Sequence, residues 1–256
     1  LKLFKKTIRK NNLVLDNIEI KNGFSVDFEW FKQLALITQT CIKKSDLNFN
    51  HGRLLYSYLS KYISTITDSS YLTILETGTA RGFSSICMSK AINDSKIKGK
   101  IITIDYLPHN KKIFWNCISD HDGKKSRAEL LLNWGSELSN IIFIQGWTID
   151  TLKRLGVDRI NFAFLDAQHT KQSVLKEFYF IEKRQLKGDI IFFDDVTPDL
   201  FNGVCDAVKE IKQNYPYDVD FLDFEGKGLE RYSGGLNYLI RPDGYIVGIF
   251  KEISSK

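Results

Sequence analysis

The sequence lacks the features that mark membrane, secreted and disulfide-linked proteins. Its 256 residues contain no apolar run near the roughly 20 residues that a membrane-spanning helix needs. Residues 1–12 are basic but carry no apolar stretch of the kind found in a secretory signal. The four cysteines, Cys41, Cys87, Cys117 and Cys205, form no CxxC pair and show no metal-ligand spacing. These absences predict a cytoplasmic protein with reduced thiols and no membrane partner.

A continuous basic stripe is also missing, although the net charge is +5. Lysines and arginines are scattered or occur in short pairs such as Lys5-Lys6 and Lys124-Lys125. A surface that follows a phosphate backbone needs basic residues clustered on one face or along one element. The charge therefore predicts a mildly basic, solvated surface and no nucleic-acid partner.

Short apolar segments alternate with helical patterns from residue 72 onward. The strand-like segments are 72–76, 100–105, 141–145, 160–166 and 189–194. Near-continuous apolar strands separated by helices are typical of an open, mostly parallel sheet that helices cover on both faces. The sequence therefore predicts a Rossmann-like α/β fold.

The two ends of the chain depart from this alternation. Residues 26–44 and 51–66 carry apolar residues at helical spacing, which predicts an N-terminal arm and helical cap over residues 1–66. The sheet-containing domain is then expected over 67–256.

Beyond the last helical pattern, residues 218–224 and 236–250 look like strands with no helix between them. The Arg241-Pro242-Asp243-Gly244 segment has the composition of a hairpin turn. The predicted sheet is therefore seven-stranded and ends in a C-terminal antiparallel hairpin.

A glycine-containing loop, LETGTARGFSS, follows the first strand at residues 75–85. Gly78 and Gly82 bracket a tight turn where missing side chains let the backbone approach a ligand closely. The spacing differs from the GxGxxG of dinucleotide sites, and Glu76 beside a pyrophosphate would be repulsive. The same carboxylate would attract the ammonium group of S-adenosylmethionine (SAM), which has no phosphate. The loop therefore favours SAM over NAD.

Other strand ends are expected at the same edge of the sheet, where ligands of such folds bind. Asp105 ends the second strand and can accept hydrogen bonds from both ribose hydroxyls, although an Asp that simply starts a loop is the alternative. Gly146 and Trp147 follow the third strand and could flank an adenine ring, unless Trp147 belongs to the core. The predicted cofactor contacts are Glu76, Gly78, Thr79, Ala80, Gly82, Ser84, Asp105, Gly146, Trp147 and Asp166.

Carboxylates end the fourth and fifth strands, at Asp166 in FLDAQHT and at Asp194 and Asp195 in IIFFDDV. Three carboxylates beside a cofactor repel one another unless a cation or protons offset them, and oxygen ligands suit Mg²⁺ or Mn²⁺. We therefore predict that these three residues bind a metal; local capping by Asp194 and Asp195 is the alternative.

His169 lies three residues after Asp166, where the next helix is expected to begin. An imidazole at that position is suited to take a proton from a hydroxyl at neutral pH, so we predict that His169 is a general base. A histidine bonded to solvent or backbone at a helix start is the alternative.

These motifs resemble, in order, those of a known enzyme family. ILETGTARGFSS is similar to the first SAM-binding motif of class I SAM-dependent methyltransferases, and ITIDY to the second. FLDAQHTKQSVLKEF followed by LKGDIIFFDDV resembles metal-dependent small-molecule O-methyltransferases, particularly the branch that acts on macrolide sugars. The resemblance covers about residues 51–215. It implies metal binding by Asp166, Asp194 and Asp195, a basic role for His169, and SAM contacts from Glu76, Gly78, Ser84 and Asp105.

The resemblance implies methyl transfer to a hydroxyl of a small molecule of sugar, polyketide or phenolic type, assisted by Mg²⁺ or Mn²⁺. Two positions depart from it: His169 replaces a lysine of the catechol-methylating relatives, and Trp147 replaces a small acidic residue. Aminopropyl transfer and a SAM-binding protein without turnover are the alternative functions. The variable segments 106–127 and 225–235 are expected to shape the acceptor pocket, and a homo-oligomer stays open.

Overall fold

Five parallel strands form the centre of the β-sheet. The computed structural model describes residues 1–8, 12–42, 47, 49–66, 71–196, 201–222 and 245–250. The parallel strands are β1 (Leu72–Thr77), β2 (Gly99–Asp105), β3 (Ile141–Gln145), β4 (Phe162–Leu165) and β5 (Ile190–Phe193). Their order is β3-β2-β1-β4-β5, with β1 paired to both β2 and β4. The predicted Rossmann-like parallel sheet is confirmed, and strand order reverses at β1, beside β4.

Both faces of this sheet are covered. All residues of β4 and β5 are buried. Because successive side chains of a strand point to opposite faces, complete burial requires packing on each side. The rings of Phe162 and Phe192 stack with centroids 5.1 Å apart, and burial of each ring contributes about 1.5–3 kcal/mol. This two-sided packing explains the near-continuous apolar runs in the sequence.

Helices fill most of the remaining described chain. They are α1 (Lys2–Ile8), α2 (Leu13–Asn22), α3 (Phe28–Gln39), α4 (Asn50–Thr65), α5 (Phe83–Asp94), α6 (Arg127–Leu130), α7 (Gly135–Leu138), α8 (Thr148–Leu152), α9 (Lys171–Glu182) and α10 (Asn202–Asn214), with 3-10 turns at Ile118–Asp122 and Leu132–Trp134. Local signals set their ends: the side chain of Asn12 accepts from Leu15 N at 3.1 Å to cap α2, and that of Asp27 caps α3. Among the described helices, none combines the length and apolar character needed to cross a bilayer.

The N-terminal helices share one apolar core with the sheet. Phe4 and Leu34 belong to the same cluster of buried side chains as the residues of the central strands. Arg53 of α4 pairs with Asp16 and Glu19 of α2 at 2.8 and 2.5 Å, which ties two helices of the cap together. Because the core is continuous, the cap is packed onto the sheet; the division of the chain before the first strand stays a prediction.

Two antiparallel strands extend the sheet beyond β5. β6 (Tyr217–Leu222) and β7 (Tyr245–Phe250) follow in the spatial order β5-β7-β6, with β7 antiparallel to both neighbours. The predicted turn at Arg241–Gly244 lies outside the described residues, as does the 225–235 segment. The C-terminal hairpin and the full strand count of the sheet therefore stay predictions.

Candidate functional site

A cavity of about 230 Å³ lies at the carboxyl ends of β1, β2, β3 and β4. Six of the predicted cofactor contacts line it, namely Gly78, Ala80, Asp105, Gly146, Trp147 and Asp166. The parallel register brings these ends together, since β2 pairs with β3 up to Asp105 and Gln145 and β1 with β4 up to Thr77 and Leu165. The topology thus opens a ligand-sized cavity where such folds bind ligands.

Two glycines let the loop after β1 lie tightly against its surroundings. Gly78 has φ 90°, and a Cβ there would overlap the carbonyl oxygen of Asp166. Gly82 has φ 84° and precedes α5, and a Cβ there would lie 2.7 Å from Leu131 Cδ1. Both positions need the left-handed conformation and the missing side chain of glycine. The loop backbone therefore forms one wall of the cavity beside the end of β4.

Glu76 stabilises this loop from inside the fold. Its carboxylate is fully buried and accepts hydrogen bonds from the hydroxyls of Ser84, Ser85 and Thr103. Burial raises the pKa of Glu76, and the three hydroxyl donors oppose that rise. Thr79 is buried as well and bonds to Thr103 at 2.5 Å. In the structure Glu76, Thr79 and Ser84 therefore brace the loop and are not among the residues that line the cavity, and Gly82 precedes α5. The SAM contacts expected from these residues stay a prediction.

Asp105 faces the cavity and is held by backbone groups. Its Oδ2 accepts from Ala80 N at 2.5 Å and its Oδ1 accepts from Leu107 N at 2.8 Å. Each carboxylate oxygen has two acceptor positions, so each keeps one for a ligand hydroxyl. These bonds fix the carboxylate before a ligand binds, and the ribose contact of Asp105 stays a prediction.

Arg127 is a site residue that sequence reasoning missed. Its guanidinium is 2% exposed, lies 3.6 Å from Asp105 Oδ2 and donates to the carbonyl of Ala80 at 2.8 Å. The rings of Trp115 and Phe143 lie 5.3 and 5.6 Å from it. Burial lowers the pKa of Arg127, and the negative charges of Asp105 and Glu76 oppose this decrease. The one available signal was the capping box that starts α6, Ser126 with Glu129, because it marks a helix start immediately before Arg127.

An exposed aromatic pair stands at the cavity. Tyr106 and Trp147 both line it, are 59% and 61% exposed, and stack with centroids 5.4 Å apart and an interplanar angle of 13°. The alternative in which Trp147 belongs to the core is therefore wrong. Two parallel rings beside Asp105 offer a flat apolar surface to a heterocycle.

Asp166, His169 and Asp195 form a second group next to the cavity. One potential ligand atom from each residue lies within 4.8 Å of the others. His169 Nε2 is 2.8 Å from Asp195 Oδ2, yet the two are not aligned as a hydrogen bond. Burial, then the charges of Asp195 and Glu76, raise the pKa of Asp166 well above its ordinary range.

The neighbouring Asp194 has a different position. Its Oδ1 accepts from the backbone N–H of Asp195 at 2.8 Å, and the residue is 2% exposed. Asp195 adopts φ 55°, which is uncommon outside glycine and places strain at this turn. Of the three predicted metal ligands, the structure thus brings Asp166 and Asp195 together with His169, whereas Asp194 buttresses the turn.

Glu177 is a second residue that sequence reasoning missed. It is 2% exposed, its Oε2 accepts from Thr77 Oγ1 at 2.7 Å, and its Oε1 has no hydrogen-bond partner among the described residues. Together with Asp166 and His169 it lines a small cavity of about 10 Å³. Burial raises the pKa of Glu177 to about 7, and the bond from Thr77 and the nearby His169 oppose the rise.

We expect Glu177→Gln to stabilise the metal-free protein at alkaline pH and to change little at acid pH. The pKa of Glu177 rises on folding from 4.5 to about 7, so its stabilising protonated form is fully present below 4.5 and is lost as pH increases through 7. Near pH 8.5 the free energy of unfolding of the variant should exceed that of the native chain by up to about 3 kcal/mol. Urea unfolding in EDTA measures this, with the exposed Glu29→Gln as control. The same pH profile in both variants would contradict it.

Comparisons with known proteins bear on this architecture. Residues 75–196 match the family model described as a methyltransferase domain. No curated protein matches the sequence at a significant level. The solved structures that resemble the chain include cofactor-bound Rv0187 from MTB, which is 16% identical with a TM-score of 0.59 over 89% of this chain and 92% of that one.

Two O-methyltransferases also resemble it. TomG from Streptomyces achromogenes, involved in tomaymycin synthesis and solved with SAM, is 18% identical with a TM-score of 0.57, over 90% of this chain and 92% of that one. The O-methyltransferase from Bacillus cereus, solved with SAH, is 16% identical with a TM-score of 0.55, over 95% and 93%. Such distant likenesses show the fold, which is that of class I SAM-dependent methyltransferases. Residues 75–196 therefore match a methyltransferase domain, and the chain has the fold of class I SAM-dependent methyltransferases.

Proposed function

We propose that this protein is a SAM-dependent methyltransferase that transfers the methyl group of SAM to a hydroxyl of a small molecule of sugar, polyketide or phenolic type, assisted by Mg²⁺ or Mn²⁺. The observation that carries the proposal is that Asp166 belongs to two neighbouring sites. It lines the 230 Å³ cavity, and it is also part of the group with His169 and Asp195. A donor in the cavity and a hydroxyl at that group would be neighbours. Rate enhancement by alignment of two reactants requires such proximity.

Three features of the cavity support SAM as its occupant. The two oxygens of Asp105 retain acceptor positions for vicinal ribose hydroxyls. Tyr106 and Trp147 offer an aromatic surface for adenine. Gly78 presents bare backbone to the cavity, and the carboxylates of Asp105 and Asp166 favour a cationic ligand over a phosphate.

The group of Asp166, His169 and Asp195 supports a divalent ion. The carboxylates of Asp166 and Asp195 repel each other and lie beside the buried Nε2 of His169, which makes no aligned hydrogen bond within the described part of the chain. Asp166 and Asp195 would hold the ion, Asp194 would hold the backbone of Asp195, and His169 Nε2 would remain beside them as the proton acceptor. Carboxylate oxygens suit both Mg²⁺ and Mn²⁺. A bound divalent ion lowers the pKa of a hydroxyl that it coordinates.

The proposed reaction needs one proton acceptor near the hydroxyl. The acceptor oxygen attacks the methyl carbon, the carbon–sulfur bond breaks, S-adenosylhomocysteine leaves, and the proton goes to His169. His169 immediately precedes Thr170, the N-cap of α9. Its ring packs against that of Phe201, with the ring centroids 4.4 Å apart. His169 Nε2 is 2.8 Å from Asp195 Oδ2, so it lies beside the ion that Asp166 and Asp195 would hold and within reach of a hydroxyl there.

The wider proposal covers chain organisation and partners. It comprises an N-terminal cap over 1–66, a methyltransferase domain over 67–256 and a C-terminal hairpin that completes a seven-stranded sheet. It includes a small-molecule acceptor, no nucleic-acid or membrane partner, and a cytoplasmic location.

The test combines calorimetry with a methyl-transfer assay. SAM should bind whereas NADH should not, and transfer of labelled methyl to a panel of hydroxylated sugars, polyketides and phenols should stop in EDTA and resume with Mn²⁺ or Mg²⁺. Asp105→Asn should weaken SAM binding by roughly 10- to 100-fold, since bonds to a charged acceptor contribute about 1.5–3 kcal/mol. The exposed Asp122→Asn should bind normally.

Three results would contradict the proposal in different ways. Undiminished methyl transfer in EDTA would show that the reaction needs no divalent ion. A strong preference for decarboxylated SAM would indicate aminopropyl transfer. Tight SAM binding with no transfer to any hydroxylated acceptor would indicate a binding protein without turnover.

A further inference from the structure

Two cysteines that are distant in sequence face each other in the fold. Cys41 follows α3 and Cys117 precedes the 3-10 turn Ile118–Asp122, and the two residues are partners in an isolated antiparallel bridge. The backbone bond from Ile118 N to Thr40 O, 3.0 Å, flanks this pair. Cys41 and Cys117 therefore occupy a non-hydrogen-bonded position, where opposed Cα atoms are about 4.5 Å apart and both side chains project from one face.

That separation lies within the range of a disulfide, about 4.4–6.8 Å between Cα atoms. Both residues are thiols in the structure. Cys41 is partly exposed whereas Cys117 is buried, and burial raises the pKa of the Cys117 thiol. Cys41 is therefore the sulfur that meets a dissolved oxidant first, with Cys117 placed to resolve the product.

The same two backbone segments anchor the loop after β1. Arg81 of that loop donates from Nε to the carbonyl of Thr38 and from Nη1 to the carbonyl of Trp115 at 3.0 Å. Cys41 Sγ also donates to the Thr38 carbonyl, at 3.7 Å. The ring of Trp115 packs on Arg127, which in turn holds the backbone of the loop. A bond between the two cysteines would hold both acceptors of Arg81 at a constant separation.

We propose that Cys41 and Cys117 are a redox modification site at which a low-molecular-weight disulfide, such as oxidised glutathione, installs a cross-link that tightens SAM binding. The Cys41 thiolate attacks one sulfur of the small disulfide, whose sulfur–sulfur bond breaks and releases one thiolate. The Cys117 thiolate then attacks the Cys41 sulfur and releases the second. The protein loses two electrons, the small disulfide gains them, and the two thiol protons pass to the released thiolates.

The consequence for SAM follows from preorganisation. The cross-link reduces the conformations open to the segments that hold Arg81 and, through Trp115, Arg127. A loop already in its binding conformation loses less entropy when the ligand binds. The cross-link itself depends on neither the acceptor nor the metal of the proposed reaction.

Oxidised and reduced protein provide the test. After incubation with oxidised glutathione and alkylation, non-reducing peptide mapping should find a Cys41–Cys117 peptide in the native chain and in a Cys205→Ser control. Cys41→Ser and Cys117→Ser should lack it. The SAM dissociation constant should fall about 3-fold or more on oxidation of the native chain and stay constant in Cys41→Ser. The melting temperature of the native chain should rise by about 5 °C or more.

Full alkylation of Cys41 after oxidation, or a stable glutathione adduct on it, would overturn the cross-link. A cross-link that leaves SAM affinity unchanged would overturn its coupling to the loop. A linked peptide in a protein that binds no SAM in either state would instead count against the proposed cofactor site, while the cysteine pair would still cross-link as inferred.

Discussion

Asp166→Asn is expected to lower the rate of methyl transfer on the order of 100-fold or more without destabilising the protein. Asp166 lines the cavity and stands in the group with His169 and Asp195, so the amide removes a charge where donor, acceptor and ion would meet. Stability should hold or increase at neutral pH, because burial and neighbouring carboxylates raise the pKa of Asp166. An amide of the same shape relieves that repulsion.

Initial rates with labelled SAM and urea unfolding curves measure both effects. Asp122→Asn is the matched control, since Asp122 is an exposed aspartate that pairs with Lys125 away from the cavity. Loss of activity together with loss of stability would indicate a structural role. Activity within a few-fold of that of the native chain would show that Asp166 takes no part in the reaction.

Of the single substitutions named above, Arg127→Met should lower the free energy of unfolding the most. The substitution keeps an apolar stem between Trp115 and Phe143 but leaves the Asp105 carboxylate buried without its cation. Removal of one partner from a buried pair costs about 3–5 kcal/mol. For a chain of this size the melting temperature should fall by roughly 10 °C. SAM affinity should fall as well, because Arg127 also holds the carbonyl of Ala80 at 2.8 Å.

A second substitution separates the two causes. If the loss comes from the uncompensated carboxylate, adding Asp105→Asn to Arg127→Met should restore part of the stability but not SAM affinity. Arg154→Met, on an exposed arginine, controls for the general loss of a guanidinium. Thermal unfolding with calorimetry distinguishes the outcomes, and strictly additive losses in the double variant would refute the pairing.

Local chemistry made part of the site readable in the sequence. Gly78 and Gly82 were predicted from their place after an apolar strand, and the structure gives both a left-handed backbone. Asp105 was predicted from its position at the end of the second strand, and it lies at the cavity. These properties depend on a few consecutive residues, because strand ends and turns are short-range features.

Other parts depended on which residues meet across the fold. Glu76 reads as a ligand for an ammonium group, yet hydroxyls from α5 and β2 surround it. Glu177 sits on the apolar side of α9 and contributes to the wall of the small cavity. Cys41 and Cys117 have no spacing signal, because a bridge between distant segments leaves none in the sequence.

The sequence by itself determined the succession of strands and helices, the position of the glycine loop and the edge of the sheet at which a ligand binds. Those outcomes follow from periodicity, glycine placement and the rule that parallel strands end at one edge. Only the tertiary structure decided which charged groups face the cavity and which are satisfied inside, as for Asp105 and Glu76. Burial and partner choice decide that, and both depend on residues brought together from distant parts of the chain.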